Sequence, residues 1–131
     1  MSKAILDSIK TALYADATLT SALGSRIYLD SAPHDAFLPL LVYRIAKMDT
    51  APMFGSVTKF TMAIEFQLYY SNAAVATAYT ARDRITAILA STTAPTGFDR
   101  CTFVRTESGV PSILDDSWTI IDRYTATAFD T

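Results

Sequence analysis

Cysteine, histidine and glycine are all scarce in this chain, and each scarcity excludes something. Cys101 is the only cysteine, so no intrachain disulfide can form. His34 is the only histidine, and one Cys with one His cannot supply a tetrahedral zinc site without carboxylates. The four glycines, at 24, 55, 97 and 109, are too dispersed to build a phosphate-cradling loop. Charge is also thin: 18% of residues are charged, against about 25% in an ordinary soluble domain. The 11 Lys and Arg against 13 Asp and Glu leave a net charge of −2, with no basic excess to attract a phosphate backbone and no polybasic membrane patch. Long apolar runs are missing too. The densest, Phe37 to Val42, is broken by Pro39 and is far too short to span a bilayer. Met1-Ser2-Lys3 opens without the apolar stretch of a signal peptide, which suggests a protein made and used in the cytoplasm of its producing cell.

What is present is hydrophobic surface and threonine. Half of the 131 residues are hydrophobic and 18 are Thr, a composition that excludes a disordered chain. The length fits one domain over residues 1–131, large enough to bury roughly two-thirds of the surface its unfolded chain exposes. A good core with few charges implies less charged surface than a lone monomer carries.

Periodicity supplies the elements. Ile5, Leu6, Ile9, Ala12 and Leu13 recur at helical spacing after Ser2, predicting a helix over 3–15. A second short helical turn is expected over 16–23, capped by Thr18 and ended by Gly24. Arg26-Ile27-Tyr28 reads as a short extended piece and the Pro- and Asp-rich residues 30–39 as loop. Leu40 to Met48 reads as a strand, with Arg44 and Ala46 on the face of Leu40 and Val42. Asp49 to Ser56 contains Pro52 and Gly55 and reads as a loop. From Lys59 to Tyr70, apolar and polar residues alternate strictly, predicting a strand about 40 Å long, enough to overhang its own sheet. Ser71-Asn72 precedes a helix to about residue 90, with Ala74, Ala78, Ala81, Ile85 and Ile88 on one face. Residues 91–97 are loop, 100–106 strand, 108–111 turn and 117–129 a final strand rich in Thr and aromatics. Hairpin-length joins at 49–56 and 107–116 favour antiparallel pairing. The expected fold is α+β: a two-layer sandwich of a mostly antiparallel four-stranded sheet covered by two helices, in the order α-(α)-β-β-α-β-β.

Catalytic candidates are few. His34 beside Asp35 suits a general base, but no Ser or Cys nucleophile motif accompanies it. Cys101, in phase with Phe103 on a strand, reads as a buried small hydrophobe. Asp115-Asp116 reads as a solvated turn, and Arg82-Asp83-Arg84 as the outer, solvated side of the second helix. The sequence therefore suggests no enzyme, no cofactor and no metal. The loop from Asp49 to Ser56 is more telling, because it presents Met53 and Phe54 beside Met48, and large apolar residues in a flexible connection must fold back or meet a partner. The chain ends on Ala128 and Phe129 with no polar tail beyond Asp130 and Thr131, which suggests a docked end strand.

One stretch carries a family likeness. Leu23-Gly24-Ser25-Arg26-Ile27-Tyr28 follows the N-terminal helix, then Ala32-Pro33 and Pro39 lead into Leu40-Leu41-Val42-Tyr43. With the long alternating strand, the Ala-rich helix and two further strands, the chain resembles the tail-completion (tail terminator, or tail-to-head joining) family of long-tailed bacteriophages. His34 to Leu38 make the loop between the prolines bulkier than that pattern. The resemblance implies a structural virion protein at the head-proximal end of the tail: a homohexameric ring that ends the tail tube and offers its other face to the head-side connector or stopper. Its implied partners are other copies of the chain, the tail tube protein and that connector, without specific nucleic-acid binding, although DNA passes through the lumen, and without a membrane. A ring needs two different patches on each subunit. Met48, Met53, Phe54, Lys59 and Thr61 are the expected residues of one, and the outer face of 117–129, with Phe129, of the other. Two other readings stay open: a different neck component such as a head-side stopper, and a non-viral, dimeric small-ligand-binding α+β domain with a pocket of buried polar groups.

Overall fold

The structure is a computed structural model, and it describes residues 2–24, 26–33, 37–53, 55, 57–91, 98–114 and 117–130. Helices α1 (Ser2–Ala15) and α2 (Ala17–Leu23) come first, followed by strands β1 (Ile27–Leu29), β2 (Leu40–Pro52) and β3 (Thr58–Tyr70). A 3-10 turn, Asn72–Ala74, leads into α3 (Val75–Ser91), and strands β4 (Phe98–Glu107), β5 (Ser112–Leu114) and β6 (Ser117–Asp130) complete the fold. The architecture is α+β, with three α-helices and a six-stranded sheet in place of the expected two helices and four strands.

The sheet runs β1-β2-β3-β6-β4, and β5 pairs β6 beyond the end of β4. Every pairing is antiparallel except β1 with β2. Both additional strands are three residues long: β1 falls on the expected extended piece at Arg26-Ile27-Tyr28, whereas β5 is too short to show a period. β5 lies within the join expected to be irregular, and it is held by antiparallel pairing with Ser117 to Thr119 at the start of β6.

The helices cover one face. Ile5, Ile9 and Leu13 of α1, Leu19 and Leu23 of α2, and Ala78, Ala81, Ile85, Ile88 and Leu89 of α3 are all buried. They meet the even-numbered residues of β3, Phe60 to Tyr70, and Ile120, Tyr124, Ala126 and Ala128 of β6. The strict alternation of β3 thus selects one face for the core, as period-2 patterning requires. Phe66 is the hub, stacked near-parallel on Tyr43 at 6.1 Å and edge-on to Tyr124 at 5.3 Å.

Three local expectations change. α2 is capped by Asp16 rather than Thr18: its carboxylate accepts the Leu19 N–H at 2.8 Å, while Gly24 ends the helix at φ 62°. β2 continues to Pro52, so the first half of the expected 49–56 loop is strand, and the Met53 N–H donates to the Val57 carbonyl at 2.9 Å across the connection. A register shift between Ile45 and Lys47 accommodates Ala46 as an irregularity, so the simple alternation expected through Arg44 and Ala46 breaks there.

Candidate assembly surface

β2 and β3 form a long hairpin whose first strand has an open outer edge along its second half. β1 pairs only Leu41 to Tyr43 of β2, so no described strand covers the outer edge of β2 from Arg44 to Pro52. Residues 46–52 are exposed one after another. Met48 is 44% exposed and Met53 45%. β3 is better covered over the same stretch because β6 pairs its other side.

The expected contact residues divide between places. Met48 lies opposite Met62, on the helix-facing side. Met53 sits at the hairpin turn. Lys59, opposite Phe129, and Thr61, opposite Asp49 and Thr127, occupy the uncovered face and are half-buried. The structure therefore brings Lys59, Thr61 and Phe129 together on one face and sets Met48 on the other. Phe54 lies outside the described residues, as do His34, Asp35, Asp115 and Asp116.

A row of alternating charge crosses the uncovered face. Arg44 on β2, Glu65 on β3, Arg123 on β6 and Glu107 on β4 stand in direct cross-strand register. Arg44 donates to Glu65 Oε2 from Nε at 2.9 Å, with Nη2 also at 2.9 Å. Arg123 donates from Nε to Glu65 Oε1 at 2.9 Å and from Nη1 to Glu107 Oε2 at 2.7 Å. Gln67 extends the network to Glu65, and the Tyr69 hydroxyl donates to Gln67 Oε1 at 2.7 Å. Glu65 is only 4% exposed although no helix covers it. Burial pushes its carboxyl up, but the two guanidiniums outweigh this and hold it below its ordinary range. The row was not legible beforehand, because it depends on register between four strands. Its one signal was isolated charge in the solvent phase of strands otherwise rich in Thr and Ala.

A second polar node faces the helices. Arg82 of α3 donates from Nε and Nη2 to the two carboxylate oxygens of Asp122, each at 2.7 Å. Both side chains are largely buried. Asp122 Oδ1 also accepts the Gly109 N–H at 2.9 Å, while Arg82 reaches the Gly109 carbonyl at 3.2 Å and the Ser108 hydroxyl. Gly109 must be glycine here for a steric reason: a Cβ would lie 2.1 Å from the Ile121 carbonyl oxygen. Arg84 pairs with Asp16 and lowers its carboxyl, with help from the Leu19 N–H. The solvated reading of Arg82-Asp83-Arg84 is thus corrected for Arg82, whereas Asp83 is exposed and the ion-paired Arg84 side chain stays 41% exposed, because a helix lying on a sheet directs residues 82 and 84 to either flank of the buried stripe.

Among the described residues, neither the cysteine nor the acidic groups form a reactive cluster. Cys101 is buried and its thiol is pushed up by that burial, the opposite of what a thiolate nucleophile needs. Among the described residues no group of His, Cys, Asp and Glu could hold a metal. A hollow of about 750 Å³ between α2 and α3 is lined by Ala17, Thr18, Ser21, Ala76 and their neighbours, without a buried polar group. No helix is long and apolar enough to cross a membrane among the described residues.

No protein-family model matches the chain. No curated protein matches it either. Among solved structures, its fold is similar to that of a chain in the virion of a native gene transfer agent particle, with a TM-score of 0.71 and 19% identity over 98% of this chain and 96% of that one.

Proposed function

We propose that this chain is a structural virion protein of the tail-completion kind. A single domain, it forms a ring that ends a phage tail tube and joins it to the head-side connector. The observation that carries the reading is the near end-to-end likeness to a chain of a virion particle, covering 98% of one and 96% of the other. The exposed hairpin supports it. A strand with a bare edge, one exposed methionine along it and a second just past its end is surface suited to protein contact.

The mechanism needs no covalent chemistry. The ring occupies the growing end of the tube, blocks further subunits and creates the surface the head recognises. The low charge fits protein partners rather than DNA, and the role places the chain in the virion at the head-proximal end of the tail. A ring requires two dissimilar patches per subunit. The hairpin, with Met48, Met53 and Phe54, supplies one, and Lys59, Thr61 and Phe129 extend it onto the uncovered face. Native mass measurement with negative-stain imaging of the purified protein tests the reading: six-fold rings support it, and a compact dimer under every assembly condition contradicts it.

A further inference from the structure

The row Arg44–Glu65–Arg123–Glu107 has a polarity. It starts with a cation at one edge of the sheet and ends with an anion at the other. Both end groups are accessible: the Arg44 side chain is 47% exposed and that of Glu107 60%. Both end strands also have open outer edges, since no described strand pairs β2 beyond Tyr43 or the far side of β4. Direction fits as well. β2 is antiparallel to β3, β3 to β6, and β6 to β4, so β4 runs opposite to β2. Two copies in equivalent orientation, set edge to edge, therefore bring β4 of one antiparallel to β2 of the next.

Resting on the ring reading above, we infer that copies of this chain assemble head to tail by joining the β4 edge of one to the β2 edge of the next. Glu107 of one copy pairs with Arg44 of the next, so the sheet and its alternating charges continue from subunit to subunit. The rest of the edge agrees with this register. Rows drawn straight across the sheet set Val104 level with Lys47, Phe103 with Met48, and Thr102 with Asp49. Val104 is 62% exposed, an apolar residue at an open edge. Phe103 against Met48 places an aromatic ring beside a thioether on the helix-facing side. No like charges oppose one another in these rows. Because the two edges differ, the contact is heterologous and closes into a ring when the rotation per copy allows, whereas an isologous contact would stop at a dimer. The second patch of the ring thus falls on β4; β6, an inner strand, offers no edge.

Cysteine cross-linking tests this without touching the charge row. Lys47 and Val104 are both exposed, so Lys47→Cys and Val104→Cys leave the core intact, and opposed residues of an antiparallel pair lie within disulfide reach. Wild type, with its buried Cys101, is the blank. Under mild oxidant, an equimolar mixture of the two single variants is expected to give a reducible dimer containing one chain of each. Neither variant alone should give it, and the double variant should give a ladder of multimers. Rings that form without the mixed dimer, or Lys47→Cys linking to itself, overturn the edge-to-edge contact and leave the ring reading standing. Protein that stays monomeric by native mass, and is absent from particles, overturns both.

Discussion

Arg82 and Asp122 join the helix layer to the sheet through two parallel 2.7 Å hydrogen bonds. The pair is largely buried, so its worth lies in being complete: removing one member strands the other in a poorly hydrated site. Asp122→Ala is expected to cost about 3–5 kcal/mol, whereas the double change Arg82→Leu with Asp122→Leu should cost clearly less. Urea unfolding of the three proteins checks this. A double variant as damaged as the single would show that the pair contributes more than mutual neutralisation.

Gly109 passes so close to β6 that any side chain must displace the backbone of Ile121. Gly109→Ala is therefore expected to destabilise by about 1–3 kcal/mol, the usual cost of overpacking. Hydrogen exchange should show the loss around 108–112 and 120–122 first. An unchanged melting temperature would mean that this loop does not hold its close approach in solution.

Glu65 links acid stability to the charge row. Its native carboxyl is held below the ordinary value of 4.5, so folding favours the ionised form. The stabilisation is complete above the unfolded carboxylate range and is lost as pH falls through the lowered native value. Asp16, lowered by Arg84, acts in the same direction. Glu65→Gln should melt lower than wild type at pH 7, with the gap closing as pH drops towards 3. A gap independent of pH between 7 and 3 would contradict the assignment.

Phe66→Ala tests the hub of the core. Phe66 is 3% exposed between Tyr43 and Tyr124, and its truncation should cost about 3–5 kcal/mol through the cavity left behind. Thermal or denaturant midpoints measure it, and an unaltered midpoint would contradict the packing.

Met53→Asp with Phe54→Asp should leave the fold intact, since Met53 is exposed at the hairpin turn. Ring formation, or capture by the tail tube protein in a pull-down, is expected to fall about tenfold or more, as for a charge placed in an apolar contact. Unchanged capture would remove the hairpin tip from the interface.

The helices and the long strands were legible in the sequence, and Arg26-Ile27-Tyr28 showed as a short extended piece, but the pairing of β1 and the existence of β5 were not legible. Alternation from Lys59 to Tyr70 gives β3 to within a residue, and the Ala78, Ala81, Ile85 and Ile88 stripe gives the buried side of α3. β1 and β5 carry too few residues to show a period, and only partners distant in sequence hold them. Asp49 to Pro52 looked like loop because Pro and Asp disfavour strands, yet pairing with Thr58 to Thr61 overrides that preference on an edge. The same limit hid the charge row and the Arg82–Asp122 pair. Arg44, Glu65, Arg123 and Glu107 are ordinary surface charges until four strands align them, and Arg82 reads as solvated until Asp122 is found beneath it.

Electron cryo-microscopy of intact particles containing this protein tests the central claim most directly. A six-fold ring of this chain between tail tube and head connector is the predicted result. Particles in which the tail-to-head junction holds no density for this fold would contradict it.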